Sequence, residues 1–280
     1  MVRFAVHLFL WTEVFDEAAL PLIKKAKEIG YEGVEVPLIH LDPLTPSLLK
    51  KAKKELEKND MGCVGSTGLP LDRDITSSDE ATRARGIEYL KRCVEIVSEL
   101  GSDALTGSLY AAWGKTGKAR TEEEWQNSIT ALKEVCRYAK NYGVTLAFEP
   151  LNRYSTSFLN TAADAIKLVK EIGEPNAKIH LDTYHMNIEE KSFYNAIKEV
   201  NGLLYHMQCI ENDRGIPGTG HVDWDGVFKA LSEIGYNRWL SIEQTPTAKW
   251  RQLATVSSPD ILASEGLKFL KRMAQKYFKD

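Results

Sequence analysis

The sequence predicts an α/β fold, a single-domain (β/α)8 barrel, and three observations predict it. Short apolar runs alternate with amphipathic stretches eight times along the 280 residues. No linker, low-complexity tract or domain boundary divides the chain. The last four apolar runs each deliver a polar side chain at their downstream end. Strand–helix alternation implies parallel pairing through right-handed crossovers, and eight units favour closure into a barrel of about 250 residues. An open doubly wound sheet is the alternative. It is disfavoured because the exit of the first strand, His7 to Thr12, holds no glycine to cradle a nucleotide phosphate.

Phe4 to Leu10 reads as the first buried strand, and Asp16 to Ile29 as a helix stopped by Gly30. Gly33 to Leu38 is the second strand, with Glu35 inside it, followed by a helix over Pro46 to Lys58. Gly62 to Thr67 is the third strand, and Ser78-Asp-Glu opens a long helix to Leu100. Ala104 to Tyr110 is the fourth, and Thr121-Glu-Glu-Glu opens the next helix with acidic residues where the helix dipole favours them. The remaining strands run to Glu149, Asp182, Gln208 and Glu243. Helices over 161–171, 192–200 and 224–234 separate them, and a last helix starts near Pro259.

Hydrophobic residues at 43% and charged residues at 27% are ordinary for a globular chain. A net charge of −3 gives no reason to expect nucleic acid or an anionic membrane as partner. The basic runs Lys50–Lys54 and Lys268–Lys279 follow helical spacing and read as solvated faces. Cys63, Cys93, Cys136 and Cys209 are dispersed in apolar settings, without zinc spacing or a disulfide framework. No apolar run approaches the roughly 20 residues that span a bilayer, and no targeting pattern is visible, so a cytoplasmic location is expected.

Glu149, Asp182, Gln208 and Glu243 form a hard, oxygen-rich set at the ends of four consecutive strands. In a barrel those ends share one face, and such a set suits magnesium or manganese better than zinc or copper. Taken singly, each side chain reads as a salt-bridged or solvated strand end; jointly they call for one divalent cation. His180 and His206 lie two residues before Asp182 and Gln208 and share their face, as core histidines or as site residues. His185 falls in the loop beyond Asp182, suited to a polar role towards substrate. Arg214 lies in the glycine-rich stretch Glu211 to His221, which reads as a functional loop or as a surface turn. Trp113 and Phe9 are candidates for the site floor, with core packing as the other role.

Several stretches together resemble the xylose-isomerase-like sugar isomerases and epimerases. These are Glu149-Pro-Leu-Asn-Arg-Tyr154, His180-Leu-Asp-Thr-Tyr-His185, Glu211 to Trp224, Ser241-Ile-Glu243 and Leu109 to Gly114. The likeness is greatest to the ketose 3-epimerases of the D-tagatose/D-psicose type. It implies a TIM barrel binding Mn²⁺, with Mg²⁺ or Co²⁺ as substitutes, through the positions of Glu149, Asp182, Gln208 and Glu243. It also implies that Glu149 and Glu243 exchange the C3 proton of a free ketose. His185, Arg214, Glu211, Ser155 and Trp113 fall at its substrate-facing positions, and homodimers or homotetramers are the implied assemblies. The chain departs from the pattern twice. Gln208 stands where those epimerases usually carry a ligating histidine, and Ser155 where they usually carry a glutamate. A glutamine there is similar to the hydroxypyruvate isomerases, so an aldose–ketose type isomerase, or a dehydratase or lyase of the same superfamily, is the alternative enzyme. A non-catalytic sugar-binding barrel is the alternative of another class. The exposed-looking aromatics Trp250 and Tyr277 do not by themselves define an assembly.

Overall fold

The structure, a computed structural model, describes residues 1–244 and 258–278; Trp250 and Lys279 lie outside the described residues. Eight parallel strands close into one barrel in sequence order. They are β1 (Arg3–His7), β2 (Gly33–Pro37), β3 (Gly62–Leu69), β4 (Ala104–Ala112), β5 (Thr145–Phe148), β6 (Ala177–Asp182), β7 (Leu204–Gln208) and β8 (Trp239–Ile242). Pairing of Arg3 with Trp239 and of Val6 with Ile242 closes the ring between β1 and β8. Helices α1 (Pro21–Ile29), α2 (Pro46–Lys58), α3 (Glu80–Glu99), α4 (Glu122–Lys140) and α5 (Ala162–Ile172) lie between the strands. So do α6 (Thr183–Glu189), α7 (Phe193–Glu199) and α8 (Trp224–Glu233), and α9 (Pro259–Tyr277) follows β8. Among the described residues, no helix is long and apolar enough to cross a membrane.

The helix starts lie where capping chemistry puts them. Thr121 and Glu124 form a reciprocal capping box at α4, and the side chains of Thr45, Asp79, Thr161 and Ser192 accept first-turn N–H groups at α2, α3, α5 and α7. Beyond shifts of one or two residues at element ends, three boundaries differ from expectation. β1 ends at His7, because the His7 side chain accepts the Phe9 N–H and turns Leu8–Leu10 into a 3₁₀ turn. The first helix starts at Pro21, a residue with no N–H to donate and a φ already suited to a first turn, and Asp16 caps a separate 3₁₀ turn over Glu17–Ala19. The segment after β6, expected as a loop, is α6, and its cap is Asp182 itself.

Side chains two apart on a strand share a face, so each strand sends a short column of residues into the barrel. At the N-terminal end Ala5, Val64, Ala104 and Trp239 pack as a separate apolar cluster. Trp239 fits there only because its neighbours are glycines. A Cβ on Gly33 or Gly62 would lie 2.7 or 2.6 Å from the indole. Above this plug comes a polar belt, Glu35, Thr106, His206 and Ser241, all buried and hydrogen-bonded to one another through Glu35. The belt leads up to Glu149, Asp182 and Gln208 at the C-terminal ends.

Gly62→Ala should therefore destabilise the fold by about 1–3 kcal/mol, the usual range for overpacking a filled interior. Urea unfolding checks this, and Trp239→Phe in the same chain should recover part of the loss.

Candidate active site

Strand length decides where the acidic side chains stand. Glu149 follows the last residue of β5, Asp182 ends β6, Gln208 ends β7 and Glu243 follows β8, so all four reach the same rim. In register, Gln208 lies beside both Asp182 and Ser241. Glu149 and Asp182 are buried. Burial pushes the Glu149 carboxyl well above the usual carboxylate range, and the charges of Glu243 and Asp182 push it further. Burial likewise raises Asp182 to about 7, with Arg214 pulling it down and Glu243 pushing it up. Such shifts are the signature of carboxylates crowded together in a low dielectric.

Arg214 is the positive charge facing them. Its backbone adopts φ 61°, unusual for a non-glycine residue. Its guanidinium lies 2.6 Å from Glu243 Oε2 and 3.7 Å from Asp182 Oδ2, and packs over the Tyr184 ring at 4.1 Å. Glu211 organises the loop that carries Arg214. Its carboxylate accepts the N–H groups of Asn212, Gly218 and Val222 and the Trp224 indole N–H. Burial would raise the pKa of Glu211, but these donors prevail and hold it low. With four donors on two oxygens, Glu211 faces its own loop rather than the substrate position expected of it.

His185 stands on the first turns of α6, near Glu149 and Arg214. The Asn152 backbone N–H donates to His185 Nδ1 at 3.0 Å. Burial, reinforced by the charge of Arg214, lowers the imidazole pKa well below its ordinary value, so the ring is neutral. A neutral ring whose Nδ1 accepts carries its proton on Nε2, the nitrogen that faces Glu149 at 3.8 Å. Glu149, Asp182 and His185 each place a possible ligand atom within 4.8 Å of the others. A protonated Nε2 has no lone pair to give, however, so the chemistry makes His185 a hydrogen-bond donor and leaves the oxygens as ligands.

Those oxygens fit a cation. Asp182 Oδ1 caps α6 by accepting the Tyr184 N–H at 2.6 Å, while Asp182 Oδ2 is buried without a hydrogen-bond partner. Gln208 Nε2 donates to Glu35 at 3.0 Å, while Gln208 Oε1 is likewise buried and unpartnered. Two orphaned acceptors beside two further carboxylates make a hard oxygen set of the kind Mn²⁺ or Mg²⁺ takes. Glu243 stands apart from the Glu149–Asp182–His185 group in this structure, drawn to Arg214.

The rim is partly apolar. Trp113, expected at the floor or in the core, is 59% exposed on the loop after β4. Lys115 ties that loop down through Asp74, Thr76 and Glu124. Phe9 lies beside His7, with ring centroids 4.5 Å apart. Ser155 is half-buried beside Asn152.

With this geometry in view, comparison with known proteins is direct. The profile of the xylose isomerase-like TIM barrel family matches residues 23–273. The chain belongs to this family. An L-ribulose 3-epimerase of Mesorhizobium japonicum is 35% identical over 90% of this chain and 88% of its own length. A ketose 3-epimerase of Arthrobacter globiformis is 36% identical over 84% and 81%. The crystal structure of a D-allulose 3-epimerase from Methylomonas sp. in complex with D-allulose superposes with a TM-score of 0.90 at 30% identity, covering 97% of each chain. Within the xylose isomerase-like family the chain therefore groups with the ketose 3-epimerases, enzymes of the isomerase class.

Two residues at the site had no role assigned from the sequence. Asn152 sets the His185 tautomer, and its only signal was its place in the Glu149-Pro-Leu-Asn stretch. Glu35 holds Gln208, and its signal was a lone carboxylate within an otherwise apolar strand.

The raised pKa of Asp182 has a consequence for the metal-free protein. The folded value, about 7, exceeds the ordinary 3.8, so the native state binds the extra proton between those pH values. Stability linked to Asp182 is then present at low pH and is lost as pH rises towards 7. Asp182→Asn should remove this loss. Its stability advantage over the parent, read by urea unfolding in EDTA, should grow from pH 4 to 7 and level off above.

Proposed function

We propose that the protein is a metal-dependent ketose 3-epimerase, inverting C3 of a free ketose through an enediolate. The observation that carries this reading is the rim where Glu149, Asp182 and Gln208 stand at successive strand ends, with one buried oxygen each of Asp182 and Gln208 left without a hydrogen bond. Glu149, Asp182, Gln208 and Glu243 would hold the cation, Mn²⁺ by preference. When bound, it supplies Lewis acidity towards the sugar's C2 carbonyl and C3 hydroxyl oxygens, which makes the C3 proton acidic enough to remove.

The chain's own groups do the rest. Epimerisation needs a base on one face of C3 and an acid on the other. The two glutamates begin from different environments, Glu149 buried among carboxylates and Glu243 paired with Arg214. One carboxylate takes the C3 proton and the other, protonated, returns a proton from the opposite face; the roles exchange with the direction of reaction. His185 presents its Nε2–H, and Arg214 its guanidinium, to the sugar hydroxyls, while Trp113 stands at the rim. The relatives that act on L-ribulose and D-allulose support a small ketose as substrate.

Four measurements test the reading. In D₂O, ketose recovered from an incubation with L-ribulose or D-allulose should carry deuterium at C3; label at C1 or C2 would mean aldose–ketose isomerisation instead. Glu149→Gln and Glu243→Gln should each lower kcat by about 10²–10⁴-fold, the usual contribution of a general acid or base. Activity should vanish in EDTA and return with Mn²⁺. Apparent Mn²⁺ affinity should rise as pH increases through about 7, because Asp182 must release its proton to ligate.

A further inference from the structure

The polar belt of the barrel contains a carboxylate that the proposed reaction does not use. Glu35, on β2, is fully buried and both its oxygens are engaged. Oε2 accepts from Ser241 Oγ at 2.8 Å and lies 3.2 Å from His206 Nε2. Oε1 accepts from Thr106 Oγ1 at 3.3 Å and from Gln208 Nε2 at 3.0 Å. These partners come from β4, β7 and β8, so the carboxylate cannot swing aside without breaking bonds on three strands.

A carboxylate only accepts, whereas a primary amide has a donor end and an acceptor end on one planar group. Holding the donor end therefore aims the acceptor end. Reversing the Gln208 amide would set its oxygen 3.0 Å from a Glu35 oxygen with no proton between them. In the observed orientation Gln208 Oε1 is buried without a hydrogen bond, as is Oδ2 of Asp182, its neighbour in register, which has only the Arg214 guanidinium near it at 3.7 Å.

We propose that Glu35 is the positioning residue for the third cation ligand: it grips the Gln208 nitrogen so that the carbonyl oxygen faces the ion. This rests on the reading of Gln208 as a ligand. It also limits what position 208 can be. Imidazole, with a donor nitrogen opposite an acceptor nitrogen, satisfies Glu35 and the cation together. A second carboxylate does not, because one of its oxygens would meet Glu35 without a proton to share. So a carboxylate, ordinarily the stronger ligand for a hard cation, is the weaker one at this position.

The test uses the full chain, with Mn²⁺ affinity measured by competition against a fluorescent chelator. The electron paramagnetic resonance spectrum of the bound ion and circular dichroism are recorded alongside. Gln208→Ala and Glu35→Ala should each weaken Mn²⁺ binding by about 10–100-fold, the usual effect of losing a group that supports a metal site. Gln208→His should keep near-parental affinity with an altered spectrum. Gln208→Glu should bind more weakly than the parent, and adding Glu35→Gln to it should restore binding, since the new amide can donate to the new carboxylate. Restoration by the double change is what a merely structural role for Glu35 would not produce. If Gln208→Ala weakens binding while Gln208→Glu strengthens it, or while folded Glu35→Ala binds like the parent, Gln208 remains a ligand and the role of Glu35 is overturned. If Gln208→Ala leaves affinity unchanged, the ligand reading and this inference fall together.

Discussion

Repulsion among Glu149, Asp182 and Glu243 is the constraint that shapes the upper half of the molecule. Burial first, and the charges of the neighbouring carboxylates second, raise the pKa values of Glu149 and Asp182, so three carboxylates at one rim of a largely dry barrel cannot all ionise without positive charge nearby. Arg214 answers part of that demand, and its position is built at some expense. Its φ of 61° is held by a loop in which Glu211 gathers four N–H donors. A cation bound among the same oxygens would answer the rest, and would compete with Arg214 for Glu243.

The donors and acceptors around this cluster are divided with little overlap. Asp182 uses one oxygen to cap α6 and keeps the other out of any hydrogen bond, 3.7 Å from the Arg214 guanidinium. Gln208 does the same with the two ends of its amide. Asn152 occupies His185 Nδ1 and so leaves Nε2–H facing the site. Under the proposed function, each side chain is fixed through the atom that the chemistry would not need. Binding geometry then depends on strands and helix ends rather than on freely rotating groups, the arrangement that keeps reorganisation small during reaction.

The barrel accommodates this polar content by sorting it by height. Trp239 seals the N-terminal end, made possible by the absence of Cβ atoms on Gly33 and Gly62. The charged belt above it is tolerable because Glu35 meets hydroxyl, amide and imidazole partners from three strands. Burial alone would raise the pKa of Glu35, but the neighbouring His206 and His7 reverse this and hold it far below the usual range.

The sequence by itself determined the alternation of eight strands and their helices, and the rim positions of Glu149, Asp182, Gln208 and Glu243. Periodicity and capping are local properties, and in a closed parallel barrel every strand end falls on one face. The family, too, was legible in the stretches around those residues. Only the tertiary structure decided which atoms face the site. Asp182 caps its helix and Glu211 serves its loop through hydrogen bonds that span at most 13 residues, and Trp113 stands at the rim rather than in the core, but the grip of Glu35 on Gln208 joins residues far apart in the chain. Such pairings arise from barrel closure, which brings β2 against the ends of β7 and β8 across the interior, and no local pattern in one strand encodes its neighbour's donors.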